Sequence, residues 1–128
     1  MAKKKRILLV DDEIDFVELV RTRLEDNNYE VIIAYNGEEG LEKAEREEPD
    51  LIILDIMLPK ISGFDVCRKL KIEENFKDIP IVMLSAKFQP NDITFGKAMG
   101  ADAYITKPFE PQVLIEKIRE LLDKKKVK

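Results

Sequence analysis

The chain has 128 residues, of which 45% are hydrophobic, so it is long enough for one compact domain with a buried core and too short for two. The absence of histidine excludes a serine–histidine triad, a histidine-rich zinc site and a phosphohistidine formed on this chain, and the single cysteine excludes an internal disulfide. The net charge is −4, but four positive charges lie in Lys3–Arg6 and four in the run Lys124–Lys128. The residues between these two runs therefore carry a net charge of −12, which is a poor electrostatic match for nucleic acid.

Short apolar runs alternate along the chain with segments whose apolar residues recur at helical spacing. The predicted strands are Arg6–Val10, Val31–Tyr35, Leu51–Leu54, Ile79–Leu84 and Ala103–Thr106. Between and after them, the predicted helices end near Asn27, before Pro49 and at Met99, while the third helix carries Leu70 and the last carries Leu122. The alternation is typical of repeated strand–helix units.

Repeated units of this kind imply right-handed crossovers and a parallel sheet with helices on both faces. We predict an α/β fold, a doubly wound five-stranded parallel sheet of order 2-1-3-4-5 in three layers, because the most apolar strands (the first, third and fourth) belong in its centre. We expect one domain, residues 1–128, with a core at about 6–122. The basic ends match a crude targeting or nucleic-acid pattern, but we interpret them as flexible, solvated termini.

The sequence contains neither an apolar stretch of membrane-spanning length nor the apolar core of a signal peptide. The lone cysteine, Cys67, is interpreted as an apolar filler of a helix rather than a redox group, and its isolation is typical of a reducing cytosol. We therefore expect a cytoplasmic protein without membrane insertion.

Five polar residues directly follow or end four of the predicted strands: Asp11, Asp12, Asp55, Ser85 and Lys107. The carboxyl ends of parallel strands meet at one edge of a sheet, where open α/β folds bind ligands. Three carboxylates without histidine or thiolate describe a site for a hard cation, and Mg²⁺ is favoured over zinc, with Mn²⁺ as the alternative. A hydroxyl and an ammonium beside them suit a phosphoryl group.

Each of these residues also has a simpler interpretation. One of Asp11 and Asp12 is a good cap for the helix that starts near Glu13, although capping occupies only one of them. Ser85 is also suited to capping the loop after its strand, and Lys107 to a solvated position in a loop. The acidic cluster is the stronger interpretation, because a carboxylate at a buried strand end is costly without a cation.

Four blocks of sequence resemble the receiver domain of bacterial two-component response regulators, in the family's order and spacing. They are ILLVDDE (7–13), DLIILDIMLPKISGFD (50–65), PIVMLSA (80–86) and GADAYITKPF (100–109), and the resemblance extends from Arg6 to Leu122. It implies that Asp55 accepts the phosphoryl group and that Mg²⁺ is held by Asp11, Asp12, Asp55 and the backbone carbonyl of Met57. It also implies that Ser85 and Lys107 contact the phosphoryl group, that Tyr104 is the rotating aromatic residue of the switch, and that the Lys107–Pro108 bond is cis.

The resemblance also implies the partners. The phosphodonor is a phosphohistidine on a sensor kinase or phosphotransfer protein, and an output protein binds the face of the fourth helix, fifth strand and fifth helix.

An aspartate-dependent phosphatase is one rival function, but Ile56 and Met57 follow Asp55, so the second acid of that motif is missing. The other rival function is that of a receiver-like module that is never phosphorylated. Such modules usually lack one of the acids or the lysine, and this chain keeps all of them.

Two further expectations come from comparison with the family. Met57 and Lys87, two residues after Asp55 and Ser85, border the path of the attacking water, and we expect them to slow dephosphorylation. Receivers of winged-helix transcription factors dimerise through paired charges on the output face, but Ala103, Val113 and Glu120 depart from those pairs while Lys117 keeps its sign. We therefore favour a single-domain receiver that binds another protein.

Overall fold

The computed structural model describes residues 3–86 and 90–127, and these form five strands that alternate with five helices. The strands are β1 (Arg6–Val10), β2 (Glu30–Ala34), β3 (Leu51–Asp55), β4 (Ile81–Ser85) and β5 (Ala103–Thr106). The helices are α1 (Ile14–Asp26), α2 (Gly37–Glu47), α3 (Gly63–Ile72), α4 (Pro90–Met99) and α5 (Pro111–Val127).

The strands form one parallel sheet in the order β2-β1-β3-β4-β5, which confirms the predicted fold and strand order. Every residue of β3 and β4 is buried, as their uninterrupted apolar runs predicted for strands covered on both faces. In the register, Val10 pairs with Leu54, and Asp55 pairs with Leu84 of the neighbouring strand. The carboxyl ends of the central strands therefore lie level with one another.

Alternate side chains of the strands supply two hydrophobic cores, one on each face of the sheet. Leu9 and Ile53 belong to the core beneath α1 and α5, whereas Leu8 and Ile52 belong to the core beneath α2 and α3. Cys67 of α3 is fully buried in the second core, as expected of an apolar filler. Because both cores are apolar, polar side chains are confined to the edges of the sheet.

Two element boundaries differ from the prediction for local reasons. β4 begins at Ile81 rather than Ile79, because the N–H of Ile79 donates to the carbonyl of Phe76 (3.0 Å) in the preceding turn and Pro80 has no N–H to donate. β2 ends at Ala34, because the N–H of Tyr35 donates to a side chain of α2 (2.6 Å) instead of a strand.

β3 and β4 each extend one residue further at the carboxyl end than predicted, so Asp55 and Ser85 are strand residues and not loop residues. The last helix also extends beyond Leu122 to Val127, and its Lys124 pairs with Glu120 one turn earlier (3.6 Å). Among the described helices, none combines the length and the apolar composition that crossing a bilayer requires.

Candidate functional site

The predicted polar residues meet at the carboxyl edge of the sheet, around the point between β1 and β3 where the strand order reverses. Asp11 follows β1, Asp55 ends β3, Ser85 ends β4 and Lys107 follows β5. Carboxylate oxygens of Asp11, Asp12 and Asp55 all lie within 4.8 Å of one another. Asp11 and Asp55 are buried whereas Asp12 is exposed, so the cluster opens to solvent on one side.

Lys107 is the cation of this cluster. Its ammonium donates to Asp11 (2.8 Å), to Glu13 (2.9 Å) and to Asp55 (3.2 Å), and its backbone N–H donates to the carbonyl of Ser85 (2.7 Å). The peptide bond between Lys107 and Pro108 is cis, as the family resemblance implied. The side chain is thus held on the acidic cluster and is not a solvated lysine in a loop.

The charges of the site are unequal, because one ammonium is shared by several carboxylates. Burial raises the pKa of Asp11, and its hydrogen bonds with Lys107 and with the N–H of Glu13 only partly oppose this. Burial alone would lower the pKa of Lys107, but its hydrogen bonds to Asp11 and Glu13 outweigh burial and raise it. All three carboxylates stabilise the charged form of Lys107, whereas each carboxylate shares the one ammonium with the others. Negative charge therefore remains in excess at the site.

Asp11 also supports the chain before α1. Its Oδ1 accepts a hydrogen bond from the N–H of Glu13 (2.9 Å), while its Oδ2 faces Lys107. Glu13 occupies the cap position of α1 and makes no side-chain capping bond. The capping interpretation is therefore correct only in part, since one oxygen of Asp11 stabilises the turn and the other belongs to the cluster.

Both carboxylate oxygens of Asp55 have donors. Oδ1 accepts from the N–H of Met57 (3.0 Å), and Oδ2 accepts from Lys107 (3.2 Å). The start of α3 lies against the same strand end: the N–H of Gly63 donates to the carbonyl of Ile56 (3.0 Å), and a Cβ on Gly63 would lie 2.3 Å from the carbonyl oxygen of Asp55. Only glycine allows this approach, so α3 fixes the backbone of Asp55.

The other predicted residues surround this centre. Ser85 is buried, and in the sheet register it pairs with Thr106, next to Lys107. Tyr104 is partly buried on β5, and its ring lies so close to α4 that a Cβ on Gly96 would be 2.6 Å from ring atom Cε1. Met57 is 75% exposed beside Asp55, and Lys87 lies outside the described residues.

Sequence reasoning missed two neighbours of Lys107. The sequence pattern indicates Glu13 only as the start of a helix, and it gives Phe16 no role at the site. In the structure Lys107 lies 4.2 Å from the centroid of the Phe16 ring, which packs edge-on against Phe109 (5.9 Å). The position of Glu13 beside two aspartates was a usable signal, because the turn before α1 brings it to the same edge.

The donor set fits a hard divalent cation. The three aspartates offer only oxygen ligands, two of them are buried, and the negative charge exceeds what Lys107 neutralises. Mg²⁺ and Mn²⁺ prefer such oxygens, whereas zinc sites use mainly histidine and cysteine ligands. Asp11, Asp12 and Asp55 are the residues that would hold the ion.

The fold is a doubly wound parallel sheet with acids at the ends of its first and third strands and a lysine after its fifth. The family model described as the response regulator receiver domain matches residues 7–119, and the chain belongs to this family.

Curated relatives include longer regulators. The alkaline phosphatase synthesis transcriptional regulatory protein PhoP of Bacillus subtilis is 45% identical over 123 residues, which cover 96% of this chain and 50% of PhoP. The DNA-binding dual master transcriptional regulator RpaA of Synechocystis is 44% identical over 117 residues, which cover 91% of this chain and 48% of RpaA. The chain spans about half the length of these relatives.

Solved structures match over the whole fold. A CheY-like receiver domain protein from Methanospirillum hungatei superposes with a TM-score of 0.91 at 36% identity, covering 96% of this chain and 97% of that one. The receiver domain of a signal transduction histidine kinase from Syntrophus aciditrophicus gives a TM-score of 0.87 at 33% identity, covering 93% and 90%.

Proposed function

We propose that this chain is a phosphorylation-dependent switch in which Asp55 accepts a phosphoryl group from a phosphohistidine of a sensor kinase or phosphotransfer protein. One observation carries the proposal: Asp55 is buried at the strand end, contacts Lys107 and lies within 4.8 Å of two further carboxylates. A buried nucleophile, a fixed ammonium and a cation-binding acid pair are the parts that phosphoryl transfer uses.

In the proposed reaction an oxygen of Asp55 attacks the phosphorus atom, an O–P bond forms, and the N–P bond to the donor histidine breaks. The electron pair of that bond returns to the imidazole nitrogen, which leaves as a neutral group after taking a proton. Lys107 pairs with an oxygen of the incoming group, and the hydroxyl of Ser85 donates to another. Bound Mg²⁺ supplies positive charge that reduces the repulsion between the anionic group and the acids.

The roles proposed for the metal-binding residues are those that the family resemblance implies, and the closeness of the three aspartates supports them. Asp11, Asp12, Asp55 and the carbonyl of Met57 would hold the cation, and Asp55 would also supply the oxygen that accepts the phosphoryl group. Sensor kinases use ATP, so this reaction is assigned to the cytoplasm. The chain itself turns over no external substrate in this proposal, and it binds proteins rather than nucleic acid.

The test is phosphorylation by a small phosphodonor. With acetyl phosphate and Mg²⁺, mass spectrometry of the intact chain should show one added phosphoryl group, and chelation of the metal should prevent it. Asp55→Asn keeps the shape of the residue and should abolish the modification. Phosphorylation that persists in Asp55→Asn would contradict the assignment.

The same assay separates the rival functions. Sustained hydrolysis of a small phosphate ester would favour the phosphatase, which the missing second acid after Asp55 argues against. Failure of the parent chain to gain any phosphoryl group, in the presence of Mg²⁺ and excess donor, would favour a receiver-like module that acts only by binding.

We assign the output surface to α4, β5 and α5. Ser85 and Tyr104 lie on adjacent strands, and the ring of Tyr104 rests against the backbone of α4 at Gly96. A movement of Ser85 towards the phosphoryl oxygens changes the space beside β5, and Tyr104 is the side chain that fills it. Phosphorylation is thereby converted into a change of the surface that an output protein binds.

A further inference from the structure

The ammonium of Lys107 has three carboxylate partners, and one of them has no role in the reaction described so far. Asp11 and Asp55 belong to the acidic cluster, but Glu13 does not. The bond from Lys107 to Glu13 (2.9 Å) is nevertheless shorter than its bond to Asp55 (3.2 Å). An ammonium has three N–H donors, so these three carboxylates satisfy it completely.

The carboxylate of Glu13 is not needed by its own helix. Glu13 stands at the cap position of α1 with φ −88° and ψ 101°, and its side chain makes no capping hydrogen bond. The turn is held instead by Asp11, which accepts from the backbone N–H of Glu13 (2.9 Å). The side chain of Glu13 is 63% exposed whereas that of Lys107 is 11% exposed, so Glu13 binds the lysine from the solvent side of the site.

Glu13 differs from the other two partners once a divalent cation binds. Oxygens of Asp11 and Asp55 that coordinate a cation have less negative charge to offer an ammonium, because two positive groups then compete for the same lone pairs. Glu13 stands outside the metal-binding set and keeps its full charge for Lys107. The ring of Phe16, 4.2 Å below the ammonium, offers a second contact that is independent of the metal.

We propose that Glu13 is a positioning residue that holds the Lys107 ammonium at the rim of the site, so that Asp11 and Asp55 are released to the cation. Without Glu13, Lys107 depends on these two acids alone and competes more strongly with the metal. The inference rests on the proposed function, and it adds Glu13 to the machinery of the site as a residue that acts through Lys107.

The first test is the affinity for Mg²⁺, measured by isothermal titration calorimetry on protein freed of metal. Glu13→Gln keeps the size of the side chain and removes its charge, and it should weaken Mg²⁺ binding by roughly three- to tenfold. Asp15→Asn is the matched control, since it removes one exposed negative charge from the first turn of the same helix. This control should change the affinity less than about twofold.

The second test shows whether Glu13 acts through Lys107. In a Lys107→Met background the competing ammonium is gone, so adding Glu13→Gln should leave the Mg²⁺ affinity within about twofold. An equal loss in both backgrounds would mean that Glu13 acts only by its charge, and would overturn the inference. Equal affinities of the parent and Glu13→Gln would also overturn it while leaving Asp55 as the acceptor. A parent chain that binds no Mg²⁺ would instead overturn the proposed function.

Discussion

Lys107 connects more of the site than any other described residue, because its one charge is divided among Asp11, Glu13 and Asp55. Buried charges are tolerated only when they are paired, and here the acids outnumber the base. The site therefore has a deficit of positive charge that a divalent cation corrects. This deficit has a measurable effect on the stability of the metal-free protein.

Asp11→Asn should stabilise the metal-free chain by about 1 kcal/mol or more at neutral pH. Burial raises the pKa of Asp11, so the folded state holds its proton more tightly than the unfolded state does, and the ionised carboxylate lowers stability as pH rises through that pKa. Urea unfolding in the presence of a chelator measures the change, and Asp123→Asn on exposed α5 is the control. In excess Mg²⁺ the parent should become the more stable of the two proteins, because only the parent keeps all the carboxylates that bind the cation.

Met57 and Lys87 are predicted to set the lifetime of the phosphorylated state. Met57 lies beside Asp55 with its apolar side chain 75% exposed, and a thioether cannot orient water by a strong hydrogen bond. Met57→Asn combined with Lys87→Glu should shorten the lifetime by roughly tenfold, which needs only about 1.4 kcal/mol of barrier. The decay of the phosphorylated chain, followed by mass spectrometry after the donor is removed, measures this. Decay no faster than that of the parent would show that other positions control the rate.

At the scale of single residues, the identity of the acids and the lysine could be predicted, because each follows an apolar run that had to be a strand. The contact between Glu13 and Lys107 could not. An acid at the start of a helix is usually explained by capping. In the folded chain Asp11 stabilises the turn and leaves the carboxylate of Glu13 for the lysine, a division of roles that the sequence pattern does not indicate.

Among the secondary-structure elements, α4 and β5 approach each other closely at Gly96 and Tyr104. The ring of Tyr104 leaves no room for a side chain at Gly96, where a Cβ would be 2.6 Å from the ring. Gly96→Ala must therefore displace the ring, and the aromatic NMR signals of Tyr104 should shift in the unphosphorylated protein. Thr94→Ala, at an exposed position of the same helix, should leave them unchanged.

The same spectra test the proposed switch. On phosphorylation of the parent chain, amide signals of Tyr104 and α4 should move together with those of the active-site loops, and the response should be smaller in Gly96→Ala, whose ring is already displaced. Shifts confined to the loops around Asp55, with α4 unaffected, would contradict the assignment of the output surface.

The order and type of the elements could be predicted because apolar runs and turn residues alternate so regularly, but some boundaries could not. β4 starts only at Ile81, whose N–H donates to the side chain of Asp102, and Asp102 is itself paired with Lys71 of α3 (3.1 Å). Lys71 also donates to the carbonyl of Ile79 (2.8 Å). These contacts join residues far apart in the chain, and no local pattern reveals them.

For the whole molecule, the charges of the output face bear on how the chain associates. Lys117 pairs with Glu120 on its own helix (3.0 Å), and Asp102 pairs with Lys71, so both charges are engaged within the chain. We expect the phosphorylated chain to remain monomeric, and light scattering before and after phosphorylation measures this. A symmetric dimer that forms only on phosphorylation, and that Lys117→Glu abolishes, would instead favour the arrangement of winged-helix regulators. The curated relatives that are about twice as long make this experiment informative.

The approach of Gly63 to the carbonyl of Asp55 has a consequence for how the protein tolerates variation. In a saturation mutagenesis experiment, most positions without a chemical group of their own accept many residues. Gly63 offers no side chain to the reaction, yet a single methyl group there must push either α3 or the backbone of the acceptor out of place. A selection for signalling should therefore reject substitutions at Gly63 nearly as strictly as those at Asp55. A parallel selection for folded protein should separate the two positions, since Asp55→Asn keeps the shape of the side chain whereas Gly63→Ala forces a contact with the backbone of Asp55.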